Sequence, residues 1–251
     1  GKKLLLPPHR VRDLEQELAQ QQIYFLSRTE PKPSLEPIKI NVDDQFLKNA
    51  EVSFYTSGST GQAKKIPRNL MQLFNEVAGL EASFKREQQG IALATVSHQH
   101  IYGLLFKLLW PLASGRSFYQ PQLAFPEDVV DAQQHLTDFN VPNYVVSSPA
   151  LLKRWTADVV LKDCIHVYSS GGKLDSGIRP QLNRPIIEVL GSSETGGIAY
   201  RQQDKAAWTP FQNVEIKSSE QDELAVRSNH ACNQDWILTG DRVKVWDSRN
   251  V

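Results

Sequence analysis

The stretch Tyr55-Thr56-Ser57-Gly58-Ser59-Thr60-Gly61-Gln62-Ala63-Lys64 lies between two segments of regular hydrophobic period. Before it, Val52-Ser53-Phe54-Tyr55 alternates as a strand does. After it, Leu70, Leu73, Phe74, Val77 and Leu80 fall at helical spacing, with Asn69 available as the cap. A loop placed so, between a strand and a helix, can turn several backbone N–H groups toward one point, because Gly58 and Gly61 accept conformations that other residues resist. Thr56 opens the loop, Ser57, Ser59 and Thr60 add hydroxyl donors, and Lys64 adds a positive charge. Such a nest of donors suits phosphate oxygens. It is not a Walker loop, because Lys64 is not preceded by Gly and no Ser or Thr follows it. The plainer reading is a flexible surface loop.

Outward from this loop, strands and helices alternate. Strands are expected at residues 91–96, 144–146, 165–168 and 186–190, and helices at 101–112, 126–139, 149–160 and 176–182. This order argues for an α/β fold with a mostly parallel sheet and helices on both faces. From Gly197 onward the helical periods stop, and short strands at 198–200, 214–216, 223–226, 236–238 and 243–246 suggest a small antiparallel β subdomain. The expected division is an α/β core over residues 1–196 and the β subdomain over 197–251. Upstream, residues 1–27 read as a strand, a turn at Pro7-Pro8 and a helix through Val11, Leu14 and Leu18. Residues 28–44, with Pro31, Pro33 and Pro37, read as a connecting loop. Both ends read as cut from something longer.

The bulk properties exclude several classes. Among 251 residues, 28 basic and 28 acidic side chains balance, so nothing draws the chain to nucleic acid or an anionic membrane. The most apolar stretch, residues 101–113, is short and interrupted by Lys107 and Pro111, so no membrane span is expected. Two cysteines, Cys164 and Cys232, fit a reducing compartment, and a cytoplasmic location is expected.

Four further stretches carry chemistry. Ser97-His98-Gln99-His100-Ile101-Tyr102-Gly103 could place a histidine beside a substrate, present a metal pair, or hold a histidine satisfied in the core. Ser169-Ser170-Gly171-Gly172-Lys173-Leu174 follows a strand, and its small residues would let the backbone approach a flat ring; a plain turn is the alternative. Leu190-Gly191-Ser192-Ser193-Glu194-Thr195-Gly196-Gly197 sets a carboxylate among hydroxyls, which next to phosphate implies a cation between them. It fails as a Gly-x-Ser-x-Gly hydrolase elbow at its last position, Thr195. Thr239-Gly240-Asp241 ends a strand with a carboxylate able to accept two hydrogen bonds from a cis-diol.

Together, and in this order, these motifs resemble those of the adenylate-forming superfamily of acyl- and aryl-CoA synthetases, carrier-protein synthetases, luciferases and peptide adenylation domains. Its phosphate loop reads Tyr/Phe-Thr-Ser-Gly-Ser/Thr-Thr-Gly-x-Pro-Lys-Gly; here Ala63 replaces the Pro and Lys65 the final Gly. The resemblance implies that Thr56, Ser57, Gly58, Ser59, Thr60, Gly61 and Lys64 bind ATP phosphates. It implies that Gly171, Gly172, Lys173, Gly191 and Ser192 surround the nucleotide, that Ser193 contacts the α-phosphate, and that Asp241 holds the ribose. Glu194 would bind Mg²⁺, and Lys64, His100, Ser193 and Glu194 are the expected catalytic set. Leu190 stands where the family has an aromatic along the adenine. Tyr102, Leu104, Leu105, Ser147 and Gly196 are candidates for the wall of an acid pocket.

The implied reaction couples a small-molecule carboxylic acid, aryl or fatty acyl, to ATP and then to the thiol of CoA or an acyl-carrier protein. The family also implies a mobile C-terminal domain with a catalytic lysine, expected beyond Val251. Two rivals stand beside this: a nucleotide-binding module without catalysis, and an amino-acid adenylation domain. The second fits poorly, because Ile101 follows His100 where such domains carry Asp.

Overall fold

A computed structural model of the chain describes residues 4–6, 43–57, 63–84, 90–137 and 141–245. The helix and loop expected within residues 7–42, and the loop residues Gly58, Ser59, Thr60, Gly61 and Gln62, lie outside the described residues.

The segment around the Gly-rich loop is a hairpin. β1 (Leu4–Leu6) runs parallel to β2 (Glu51–Ser57), which follows the short helix α1 (Asp44–Asn49). β2 then pairs antiparallel with β3 (Ala63–Asn69), Thr56 facing Lys64 and Tyr55 facing Lys65. The loop was expected to lead straight into a helix; instead it joins two strands, and the helix α2 starts at Leu70. The missed strand has a period of two, with Ile66 and Arg68 buried between exposed Lys65 and Pro67. Half of that buried face is a charged residue, so hydrophobicity alone does not reveal it. Pro67 is tolerated because β3 is an edge strand.

α2 (Leu70–Phe84) begins in a reciprocal cap. Asn69 Oδ1 accepts from the Gln72 N–H at 2.8 Å, and Gln72 Oε1 accepts from the Asn69 N–H at 2.8 Å. The expected cap is therefore present, with Gln72 completing it.

The main sheet has six strands in the order β4 (Ile91–Ala94), β5 (Asn143–Ser147), β6 (Cys164–Ser170), β7 (Ile186–Ser192), β8 (Gly196–Arg201) and β9 (Thr209–Pro210). It is parallel through β7 and antiparallel from β8 on. Two apolar cores lie on its faces. Tyr144 and Val146 of β5 join a core with α2 and the helix after His100, while Val145 between them joins Val129, Leu152 and Ile178 in the other. A strand buried on both faces in this way belongs to a sheet covered by helices on both sides, as expected. Gly196–Arg201 and Thr209–Pro210 extend this sheet, so it continues past residue 197, and the separate antiparallel sheet comprises β10 (Val214–Ser218), β11 (Glu223–Ser228) and β12 (Ile237–Arg242). Residues 243–245 follow β12 as irregular chain rather than the expected strand.

α3 covers residues 101–113 but is not uniform, because Leu104–Leu109 forms a π-helical segment between two α-helical turns. Trp110 N–H bonds the Leu105 carbonyl, five residues back, and Pro111, next along the chain, has no N–H to donate in either register. The Phe106 carbonyl instead accepts from the Tyr144 hydroxyl at 3.1 Å. Lys107, in this segment, is buried and donates to the carbonyls of Gln120 and Pro121 at 3.0 and 3.1 Å. α4 (Pro126–Thr137), α5 (Pro149–Leu152) and α6 (Ile178–Leu182) complete the layers. α5 was expected to reach residue 160 but stops at Leu152. The Arg154 and Trp155 N–H groups bond carbonyls three residues back, tightening the chain so that Trp155 is buried. Among the described residues, no helix is long and apolar enough to cross a membrane.

Candidate active site

A cleft of about 760 Å³ opens at the carboxyl ends of β4, β6 and β7, the end at which open α/β sheets bind ligands. It gathers His100, Gly171, Gly191, Ser192 and Ser193 from the expected set. Of the residues expected to form an acid wall, Tyr102, Leu105 and Gly196 line it; Leu104 and Ser147 are buried elsewhere, Ser147 accepting from the Thr95 hydroxyl at 2.8 Å. Gly172 and Lys173 are exposed and outside the lining residues. Asp241 is exposed on β12 of the small sheet and does not line the cleft. The Asp241 N–H donates to Thr239 Oγ1 at 3.2 Å, in a turn allowed by Gly240 at φ +80°.

Glycines shape the walls where backbone must come close. A Cβ on Gly103 would meet the Ser97 carbonyl oxygen at 2.1 Å, so only glycine lets α3 pack under the loop carrying His100. Gly196 has φ +70°, and a Cβ there would meet Glu76 Oε2 at 2.6 Å and His230 Cδ2 at 2.7 Å. Gly171 has φ +88° and open space beside it, which leaves its backbone free to approach a ligand.

Lys64 and Glu194, 130 residues apart, form an ion pair with Nζ–Oε1 of 2.9 Å. The bond to Glu194 raises the lysine's pKa. Burial of Glu194 works against its ionisation, but the Lys64 hydrogen bond, together with Ser192, outweighs that and holds its carboxyl below the usual range. Both partners are partly exposed, so the pair contributes little to stability. Its interest is placement: neither side chain lines the cleft, but Glu194 follows directly on Ser193, which does. Ser192 and Thr195 brace this turn reciprocally, the Ser192 N–H donating to Thr195 Oγ1 and the Thr195 N–H to Ser192 Oγ, each at 3.1 Å.

Beneath it lies a buried polar network that the motifs did not indicate. Arg68 and Glu76 are 1% and 4% exposed and pair at 3.3 Å. Arg68 Nη1 donates to the carbonyls of Ser193 at 3.1 Å and Glu194 at 3.4 Å, and Nη2 donates to the His230 carbonyl. Glu76 Oε1 accepts from the Gly197 N–H at 2.6 Å, and the buried His230 ring meets the Gly197 carbonyl through Nε2 at 3.0 Å. The Cys232 N–H bonds the Glu194 carbonyl at 2.9 Å. None of Arg68, Glu76 and His230 falls within a motif read from the sequence. The only available signal was the helical period, which puts Glu76 beside Leu73, Val77 and Leu80 on the buried face of α2.

Among the described residues, no group of three or more His, Cys, Asp or Glu converges as a metal site. Mg²⁺ needs no such group. It is commonly held by one or two carboxylates together with substrate phosphates, and Glu194 offers one carboxylate, next to the cleft-lining Ser193 and paired with Lys64. Cys164 and Cys232 are both free thiols.

The AMP-binding enzyme family matches residues 9–230. A 4-coumarate–CoA ligase of Rhodobacter capsulatus is 28% identical over 170 residues, covering 64% of this chain and 43% of that protein. The chain spans less than half the length of the curated relatives it matches. An O-succinylbenzoate coenzyme A synthetase from Bacillus subtilis, solved with AMP, superposes with a TM-score of 0.61 at 17% identity, covering 72% of this chain and 41% of that one. An AMP-forming acyl-CoA synthetase-like protein from Dyadobacter fermentans gives 0.62 at 18% identity, covering 83% and 61%. The last two likenesses concern the fold: a mostly parallel sheet with antiparallel strands, as found in adenylate-forming enzymes. With the family matched over most of its length, this chain belongs to the AMP-binding enzyme family.

Proposed function

We propose that the protein uses ATP to activate a carboxylic acid with an uncharged aryl or fatty acyl tail, and that the acyl group then passes to a thiol of CoA or an acyl-carrier protein. A carboxylate oxygen attacks the α-phosphorus of ATP and pyrophosphate leaves. A thiolate then attacks the acyl carbon and AMP leaves. The carboxylate is a weak nucleophile, so the protein's part is orientation and the neutralisation of phosphate charge.

The observation that carries this reading is the Lys64–Glu194 pair, whose carboxylate follows directly on the cleft-lining Ser193. Lys64 is exposed enough to leave Glu194 for a β- or γ-phosphate oxygen. Glu194 is then free to hold Mg²⁺, which when bound spreads the negative charge of the phosphates. Ser193 reaches the α-phosphate, Gly171 leaves room for the base, Gly191 holds the neighbouring wall close to Gly196, and His100 stands where the acid meets the nucleotide. Asp241 keeps its proposed ribose role, and Thr56 and residues 57–61 their phosphate role.

The tail preference follows from the walls. Val96, Tyr102, Leu105, Phe106 and Leu151 line the cleft, and among the described residues no Lys or Arg does. Among the described residues Glu76 is the one carboxylate lining the cleft, and it is committed to Arg68 and Gly197 rather than open to a substrate ammonium group. The deciding experiment is equilibrium binding of ATP with Mg²⁺, followed by calorimetry. Wild-type protein should bind, and Lys64→Ala together with Glu194→Gln should bind at least tenfold more weakly. Equal binding by the variant would overturn the assignment of the phosphate and metal sites.

A further inference from the structure

One face of β3 reaches Glu194 twice. Residues 64, 66 and 68 point the same way along the strand, because side chains alternate with a period of two. Lys64 meets the Glu194 carboxylate, and Arg68 meets the Glu194 and Ser193 carbonyls. The first contact is exposed and can be exchanged. The second is buried, and Glu76 neutralises it.

Resting on the function proposed above, we propose that Arg68, buttressed by Glu76, is a positioning residue. It keeps the Ser193–Glu194 turn in place while Lys64 leaves the carboxylate for phosphate. Without such an anchor, losing the Lys64 contact would remove a side-chain restraint on the turn just as its carboxylate must meet a metal. Arg68 acts through three routes. It bonds the two turn carbonyls directly. Through the His230 carbonyl it holds the 228–232 segment, whose Cys232 N–H caps the Glu194 carbonyl. Through Glu76 it fixes the Gly197 N–H at the far side of the turn. Only a planar guanidinium, with donors diverging from one centre, can serve the turn, the His230 carbonyl and Glu76 together; a lysine ammonium presents one point charge. Gly196 is the reciprocal adaptation, since any Cβ there would displace Glu76 and His230.

Arg68→Ala would leave Glu76 charged and buried without a partner, so its loss of function could reflect unfolding. The informative variants are Arg68→Lys, which keeps the charge, and Arg68→Met with Glu76→Leu, which removes the buried pair as a unit and is compatible with a folded core. The readout is the ratio of ATP dissociation constants in EDTA and in saturating Mn²⁺, measured by calorimetry on the full chain, with Mn²⁺ electron paramagnetic resonance reporting metal bound per nucleotide. Thermal melting confirms folding. The expected result is a ratio reduced at least tenfold in the folded double variant and partly in Arg68→Lys, with Mn²⁺ occupancy lowered in parallel. A wild-type ratio in the folded double variant would overturn the positioning role while leaving the proposed function intact. Wild-type protein that binds no ATP would overturn both.

Discussion

Lys64 and Glu194 hold each other across a gap of 130 residues, and the chemistry proposed here begins with their separation. Hydrogen bonds between charged groups are stronger than neutral ones, so Lys64→Ala should weaken ATP binding roughly tenfold. Isothermal titration checks this, and a loss below threefold would count against a phosphate role for Lys64. Gly196 offers a sharper structural test. Its left-handed backbone and the atoms crowding its missing Cβ predict that Gly196→Ala loses about 2–5 kcal/mol of stability, read from urea unfolding. An unchanged midpoint would mean the turn has room that the geometry denies. At this scale, the residues legible in sequence were those whose chemical type is unusual for their setting: Ser193 and Glu194 in a glycine-flanked turn, Lys64 after a Gly/Ser/Thr run. Arg68, Glu76 and His230 were not legible. A charged residue's burial depends on partners 8 to 162 residues away, which no local period encodes.

The elements differ in how plainly they are written. α2 announces itself through apolar spacing and through Asn69, and its reciprocal cap gives a further prediction. Asn69→Ala should cost about 1 kcal/mol, seen as a lower urea midpoint at unchanged slope. A midpoint equal to wild type would show the cap to be redundant with α2's packing. The strands of the main sheet were legible because burial on both faces makes them continuous apolar runs. β3 was hidden because its inward positions are shared between Ile66 and Arg68. The extent of α3 was legible, but its π register was not. Within it, a tyrosine on a neighbouring strand takes the Phe106 carbonyl, a partner that helical period does not encode. α5 ended early because Trp155 is drawn into the core beneath it, a tertiary effect that helical period cannot forecast.

At the scale of the molecule, the buried network joins the hairpin, α2, the main sheet and the loop after β11 in one polar cluster. His230 makes that junction sensitive to pH. Burial lowers its pKa below the ordinary 6.5; Glu76 opposes this and Arg68 reinforces it. Gly197's carbonyl can only accept, so Nε2 carries the proton, and Nδ1 faces the Asn213 amide nitrogen at 3.2 Å. Protonating Nδ1 would set two donors against each other. The folded state therefore resists a proton that the unfolded chain accepts. Stability from this group is complete above pH 6.5 and is lost as pH falls through the folded value. Urea midpoints measured from pH 7.5 downward should decline below about pH 6.5, and His230→Gln should flatten that part of the profile; an equal decline in the variant would assign it to other groups.

The whole account turns on acid activation, and ATP–pyrophosphate exchange by the native protein tests it most directly, over a panel of fatty, aryl, dicarboxylic and amino acids. The account predicts exchange with one or more apolar monocarboxylic acids, little with amino acids or dicarboxylates, and loss of exchange in Lys64→Ala with Glu194→Gln. Exchange with no acid, or exchange undiminished in that variant, would contradict it.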